Sequence, residues 1–217
     1  MRYRIYKQTY SERQAYRYQV MDETDQVCCL VEPTGLFLPH PTRLITLFDA
    51  DHNPIGRIEP PPASPWQLGG AYTLFLDDQE EPLAVIEERW NLVDLILLRL
   101  PHYLVRQGEE TYVARGSRYG ERVYEIFLPP QEEEEEGEEG SERPEEEVVV
   151  ELGDEEMREA LARTRRHRWG EPVGEILRPA RGASYVVEAP DLPLRHAVLV
   201  LAGLVVIVDM RLQAQPS

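Results

Sequence analysis

The run Ala197-Val198-Leu199-Val200-Leu201-Ala202-Gly203-Leu204-Val205-Val206-Ile207-Val208 has no polar side chain on any face, and Arg195-His196 and Asp209 bound it. Such a segment has to leave water, either for a bilayer or for the protein's own core, because exposed apolar surface costs about 25 cal/mol per Å². As a helix these residues would reach ~18 Å, whereas the hydrocarbon core of a bilayer is ~30 Å thick. Polar residues at both ends prevent extension. The run is therefore expected inside a protein core, with no transmembrane segment. Six of its twelve positions are β-branched, which taken alone favours a strand. Length and propensity leave helix or strand open.

Elsewhere, short alternating segments bounded by turn residues dominate: Tyr3 to Lys7, Tyr16 to Met21, Val27 to Val31, Leu44 to Phe48, Ile55 to Glu59, Tyr103 to Gln107, Thr111 to Arg115, Arg122 to Leu128, Val148 to Leu152, Val173 to Leu177 and Tyr185 to Glu188. This period of two reads as antiparallel strands. Phe48-Asp49 is followed at Pro54 by Pro-Ile-Gly-Arg-Ile-Glu, and Leu76-Asp77 is followed at Pro82 by Pro-Leu-Ala-Val-Ile-Glu, with the same Asp-to-Pro spacing. In each, Asp is expected to open a hairpin by accepting from the backbone ahead of it, and Pro to start the return strand where no ladder donor is needed. The class is mainly β, with about a dozen strands. At 217 residues, 42% of them hydrophobic, the chain can fill one such core, so residues 1–217 are read as a single domain.

Three stretches break the strand pattern. Residues 91–100 are apolar enough for a buried strand or a short helix, and periodicity does not separate the two. Residues 153–169 read as a surface helix, with Asp154 as N-cap, Glu155 and Glu156 in the first turn, and Arg163, Arg165, Arg166 and Arg168 towards the end, a gradient that complements the helix dipole. Residues 129–147 read as a disordered acidic loop, since like charges repel and nothing apolar is there to bury.

The formal net charge of −17 is concentrated in that loop. Between Glu132 and Glu147 stand eleven Glu and one Arg, which account for ten of the seventeen net negative charges. What is left is an ordinary solubility-level charge for a domain of this size. The tract suits a basic protein partner, or is simply a solvated loop. Arg163, Arg165, Arg166 and Arg168 are the candidate anion- or lipid-binding residues, although the dipole alone accounts for cations at a helix end. Nucleic acid is disfavoured, as no basic stripe interleaved with aromatics is present.

Cys28 and Cys29 are the only cysteines. As neighbours in a strand they point to opposite faces, so neither a disulfide nor a zinc site is expected. With no signal-like segment at Met1-Arg2-Tyr3-Arg4-Ile5, the reading is a cytoplasmic protein, peripheral to membranes at most. Arg far outnumbers Lys, with Lys7 the sole lysine, which fits nucleotide-composition bias better than heat adaptation.

Signals for catalysis are absent. His40, His52, His102, His167 and His196 show no i, i+4 pairing and no Gly-x-Ser-x-Gly context, and there is no Gly-rich phosphate loop. No catalytic residue, metal ligand or cofactor is assigned. A calcium loop at Asp49-Ala50-Asp51-His52-Asn53 fails, because Pro54 and Pro60 occupy the positions that require Gly and bidentate Glu. His196 is read as a boundary residue of the apolar run. Trp66, Trp90 and Trp169 are expected to pack the barrel or cover its ends.

The order Pro172-Val173-Gly174-Glu175-Ile176-Leu177-Arg178, Ser184-Tyr185-Val186-Val187-Glu188, then Ala197 to Asp209, resembles the end of the tubby-like C-terminal superfamily, which includes the LURP-one-related proteins and the phospholipid scramblases. Phe48-Asp49 with Pro54-Ile55-Gly56-Arg57-Ile58 looks like that group's strand-turn-strand unit. The resemblance implies a closed antiparallel barrel of about twelve strands around a buried hydrophobic helix at 197–209, ending in the Ile207-Val208-Asp209 step; residues 129–147 and 153–169 would be insertions. It implies a non-catalytic binding or scaffold protein in contact with anionic lipid or a protein partner. The alternative is a small-molecule-binding or hydrolytic barrel with its site at a barrel mouth.

Overall fold

The computed structural model of the chain describes residues 1–9, 16–34, 44–62, 69–90, 100–116, 122–129, 171–179, 184–190, 192, 194 and 196–214. Twelve strands run in order: β1 (Arg2–Thr9), β2 (Tyr16–Met21), β3 (Val27–Thr34), β4 (Leu44–Phe48), β5 (Pro54–Glu59), β6 (Ala71–Leu76), β7 (Pro82–Arg89), β8 (His102–Gln107), β9 (Glu110–Gly116), β10 (Arg122–Phe127), β11 (Gly174–Leu177) and β12 (Ser184–Glu188). One helix follows among the described residues, α1 (Ala197–Ala214).

Each strand pairs antiparallel with its sequence neighbours, and β1 closes the ring on β12 through partners such as Tyr3 with Val187 and Ile5 with Tyr185. Closure leaves no unpaired sheet edge. The alternation expected from the sequence sets the two faces of the wall. Ile45 and Leu47 of β4, Tyr72 and Leu74 of β6, Ile86 of β7, and Tyr185 and Val187 of β12 are buried inward, while their neighbours in each strand are half-buried or exposed.

The apolar run is helical and extends past Asp209 to Ala214, because Met210, Arg211, Leu212, Gln213 and Ala214 are all good helix formers. The expected end at residue 209 is therefore short by more than a turn. Every described side chain from Ala197 to Met210 is buried except half-buried Val198, and apart from Asp209 they share one apolar cluster with the inward rows of the strands. At the N-terminus, the His196 carbonyl accepts from the Leu199 N–H at 2.9 Å and the Val200 N–H at 3.3 Å. His196 itself has φ 54°, the left-handed turn that redirects the chain into the helix. It is a boundary residue, as read.

The hairpin reading holds at Asp49, whose carboxylate accepts from the N–H groups of Asp51 at 2.9 Å and Asn53 at 2.8 Å. Asp22 does the same with Thr24 and Gln26 at 2.8 and 3.0 Å, a copy the sequence reading missed. The Asp77 hairpin differs: the Asp77 N–H donates to the Ile55 carbonyl at 3.1 Å and so ties two hairpins together. All three share a register shift, at Val20/Met21, Leu47/Phe48 and Leu74/Phe75, evenly spaced in sequence. The repeated unit thus includes β2–β3 as well.

The expected acidic loop at 129–147, apart from Pro129, the expected helix at 153–169, the expected strand at 148–152 and the undecided segment at 91–100, apart from Leu100, lie outside the described residues.

Candidate functional site

Strand direction alternates around the ring, so the β2–β3, β4–β5, β6–β7 and β8–β9 turns all lie at one end, and β1 starts there. The opposite end, where β1 and β7 finish, receives the C-terminus of α1. The two ends differ in chemistry.

At the helix end, Asp209 is 2% exposed. Its carboxylate accepts from the Tyr18 hydroxyl, from the Tyr185 hydroxyl at 2.6 Å, from Lys7 Nζ at 2.9 Å and from the Gln213 amide. These wall residues come from β2, β12 and β1, adjacent in the ring. Burial pushes the Asp209 carboxyl upward in pKa, but the donated hydrogen bonds and the Lys7 charge outweigh it and hold the group below its usual 3.8. Burial, followed by the hydrogen bond and charge of Asp209, pushes Tyr185 well above the ordinary phenol value. Tyr185 therefore stays a donor.

On the far side of the ring, Glu88 of β7 is 6% exposed. It accepts from Trp90 Nε1 at 2.6 Å and pairs with Arg211 Nη2 at 2.8 Å. The Arg211 guanidinium also lies 5.3 Å from the Trp90 ring centroid. Trp90, half-buried, thus contacts both members of this ion pair. Arg211 in the last turn of α1 complements the helix dipole. One helix terminus is clamped to opposite walls by two charged groups.

At the other end, the turns carry Asp22, Glu23 and Asp25; Asp49 and Asp51; Asp77, Asp78, Glu80 and Glu81; and Glu109, with Glu110 opening β9 beside it. None contains Lys or Arg. Arg2 pairs with Glu188 at 3.0 Å and Arg4 with Asp25 at 2.9 Å, leaving the rim strongly acidic. β10 ends and β11 begins at this same rim.

Arg163, Arg165, Arg166 and Arg168 lie outside the described residues. Among the described residues, no group of three or more His, Cys, Asp or Glu gathers as a metal site, and no helix is long and apolar enough to cross a membrane. Cys29 is buried and Cys28 half-buried, both free thiols. Burial and then the neighbouring Cys28 push the Cys29 thiol up to about 12.

Sequence reasoning missed the clamp. Glu88 carried a signal, since counting by two from Ala84 and Ile86 places it inward in β7. Asp209 carried one too, as an acid closing an apolar run. Their partners carried none.

The fold class is a closed twelve-strand antiparallel β-barrel with a C-terminal helix. No family model matches the chain, and no curated protein matches it. Among solved structures, an X-ray structure of a protein from Arabidopsis thaliana is similar, with a TM-score of 0.47 and 11% identity over 96% of this chain and 90% of that one.

Proposed function

We propose that this chain is a non-catalytic binding or scaffold protein that docks a basic protein segment on its acidic hairpin end. The observation carrying this reading is the run of four turns at one end with acidic side chains and no Lys or Arg. Charge of one sign gathered on one surface speeds encounter with an oppositely charged partner and repels like-charged ones. Anionic lipid and nucleic acid are disfavoured at that end. In this proposal α1 fills the barrel, which the burial of Ala197 to Met210 supports, and so leaves no lumen for a small-molecule site. Kinship with the tubby-like group belongs to the same proposal, supported by twelve strands in a closed ring and the Ile207-Val208-Asp209 step inside α1. A reducing, cytoplasmic setting suits the two free thiols.

The test is fluorescence anisotropy with a labelled Arg/Lys-rich peptide, run beside flotation with vesicles containing anionic lipid. Peptide binding at low salt should weaken as salt is raised. It should also fall severalfold when Asp77, Asp78, Glu80 and Glu81 become their amides. No peptide binding at low salt removes the proposal, and flotation that depends on Arg163, Arg165, Arg166 and Arg168 replaces it with a lipid-contact function.

A further inference from the structure

Two hairpin turns place a side chain where glycine is the least strained residue. Asp25 and His52 each stand three residues after the Asp that opens the turn. Each donates its backbone N–H to that Asp's carbonyl at 3.2 Å, and their φ values are 62° and 68°. A side chain is uncommon in that left-handed region, where glycine meets no steric penalty. Both side chains reach back to an arginine on an earlier strand. Asp25 pairs with Arg4 of β1 at 2.9 Å, and His52 Nε2 lies 2.8 Å from Arg17 Nη1 of β2. Arg17 also pairs with Glu32 of β3, so the β4–β5 turn is tied across β3 to β2.

The two ties differ in their acceptors. A guanidinium has donors only, so His52 Nε2 must accept, and the imidazole is then the neutral form that carries its proton on Nδ1. Once Nε2 gains a proton it can no longer accept, and two cations face each other. The other charges around His52 are Glu32 behind Arg17, and Asp49 and Asp51 of its own turn. Asp49 acts on His52 electrostatically and favours an imidazolium within the turn. We propose that the His52–Arg17–Glu32 chain is an acid-released latch, which holds the β4–β5 turn to the barrel wall while the imidazole is neutral and releases it on protonation. The Asp25–Arg4 tie, with a carboxylate as acceptor, stays closed over the same range. No partner at the acidic rim is needed for this.

Nitrogen-15 NMR of the imidazole identifies its tautomer and its protonation state. Stability is then measured in a double-mutant cycle of Arg17→Gln with His52→Gly, which isolates the pairwise interaction; glycine keeps the left-handed backbone. The cycle is run at a pH where the imidazole signals show a neutral ring and at one where they show a protonated ring. Coupling of about threefold in the folding equilibrium constant is expected for the neutral ring, and none for the protonated one. The cycle of Arg4→Gln with Asp25→Gly should give the same coupling at both. A neutral ring with its proton on Nε2, no coupling to a neutral ring, or coupling that survives protonation each overturns the proposal. An equal loss at Arg4–Asp25 overturns it too, because the loss would then not be the imidazole's.

Discussion

Asp209 concentrates the residue-scale physics. Taking a carboxylate out of water costs several kcal/mol, and the site recovers that only where geometry and donors are good. Here two phenols, an ammonium and an amide donate to it. Asp209→Asn keeps the shape, removes the charge and leaves Lys7 without its anion, so it should cost about 3 kcal/mol in denaturant titrations. The pH dependence has a definite sign. The Asp209 carboxyl titrates lower in the folded than in the unfolded chain, so the unfolded state binds more protons between the two values. The stability it contributes is fully present above the unfolded value near 3.8 and is lost as pH falls towards the depressed folded one. Wild-type stability should therefore fall through that window more steeply than that of Asp209→Asn, as followed by circular dichroism. Little of this was legible beforehand. Lys7 and Tyr18 stand 202 and 191 positions from Asp209 in the chain, and no local pattern links residues so far apart.

Among the elements, α1 shares its apolar cluster with the strands. Gly203 sits where a Cβ would stand 2.5 Å from Ile58 Cδ1 and 3.8 Å from Ile86 Cδ1, so the missing side chain permits close approach of helix and wall. Gly203→Ala gains about 1 kcal/mol of helix propensity but overpacks the core, which costs about 1–3 kcal/mol; a net loss of about 1 kcal/mol is expected. Ile58→Val removes the crowded methyl. The double mutant should accordingly be more stable than the sum of the two single changes predicts, by about 1 kcal/mol in a double-mutant cycle. Gly56→Ala should be harsher than Gly203→Ala in the same titration. Its Cβ would lie 2.5 Å from the Phe75 carbonyl oxygen, and a backbone group held in the β5–β6 ladder cannot rotate away. Strand positions were largely legible, since Tyr16–Met21 and Leu44–Phe48 occur with the expected ends and the alternation that revealed them is the same alternation that buries one face.

Over the whole molecule, charge is distributed by the topology. Four acidic turns, scattered in sequence, gather on one rim because antiparallel neighbours return to the same end. With a net charge of −17, self-repulsion should outweigh the exposed ion pairs, each worth about 0–1 kcal/mol. Raising salt from about 10 to about 150 mM shortens the Debye length from about 30 to about 8 Å, so the thermal midpoint should rise across that range. A falling midpoint would show that the ion pairs dominate. The amino-acid sequence by itself determined the strand class, the inward and outward faces, and the need to bury Ala197 to Val208, because each depends on residues close in the chain. Only the tertiary structure decided that the run is a helix. A closed ring has no free edge whose ladder another strand could join, and buried N–H and C=O groups must be paired. A helix pairs them within itself, so ring closure overrides the strand preference of six β-branched residues. The clamps and the acidic rim follow from the same closure, which brings distant positions together at the two ends of the barrel.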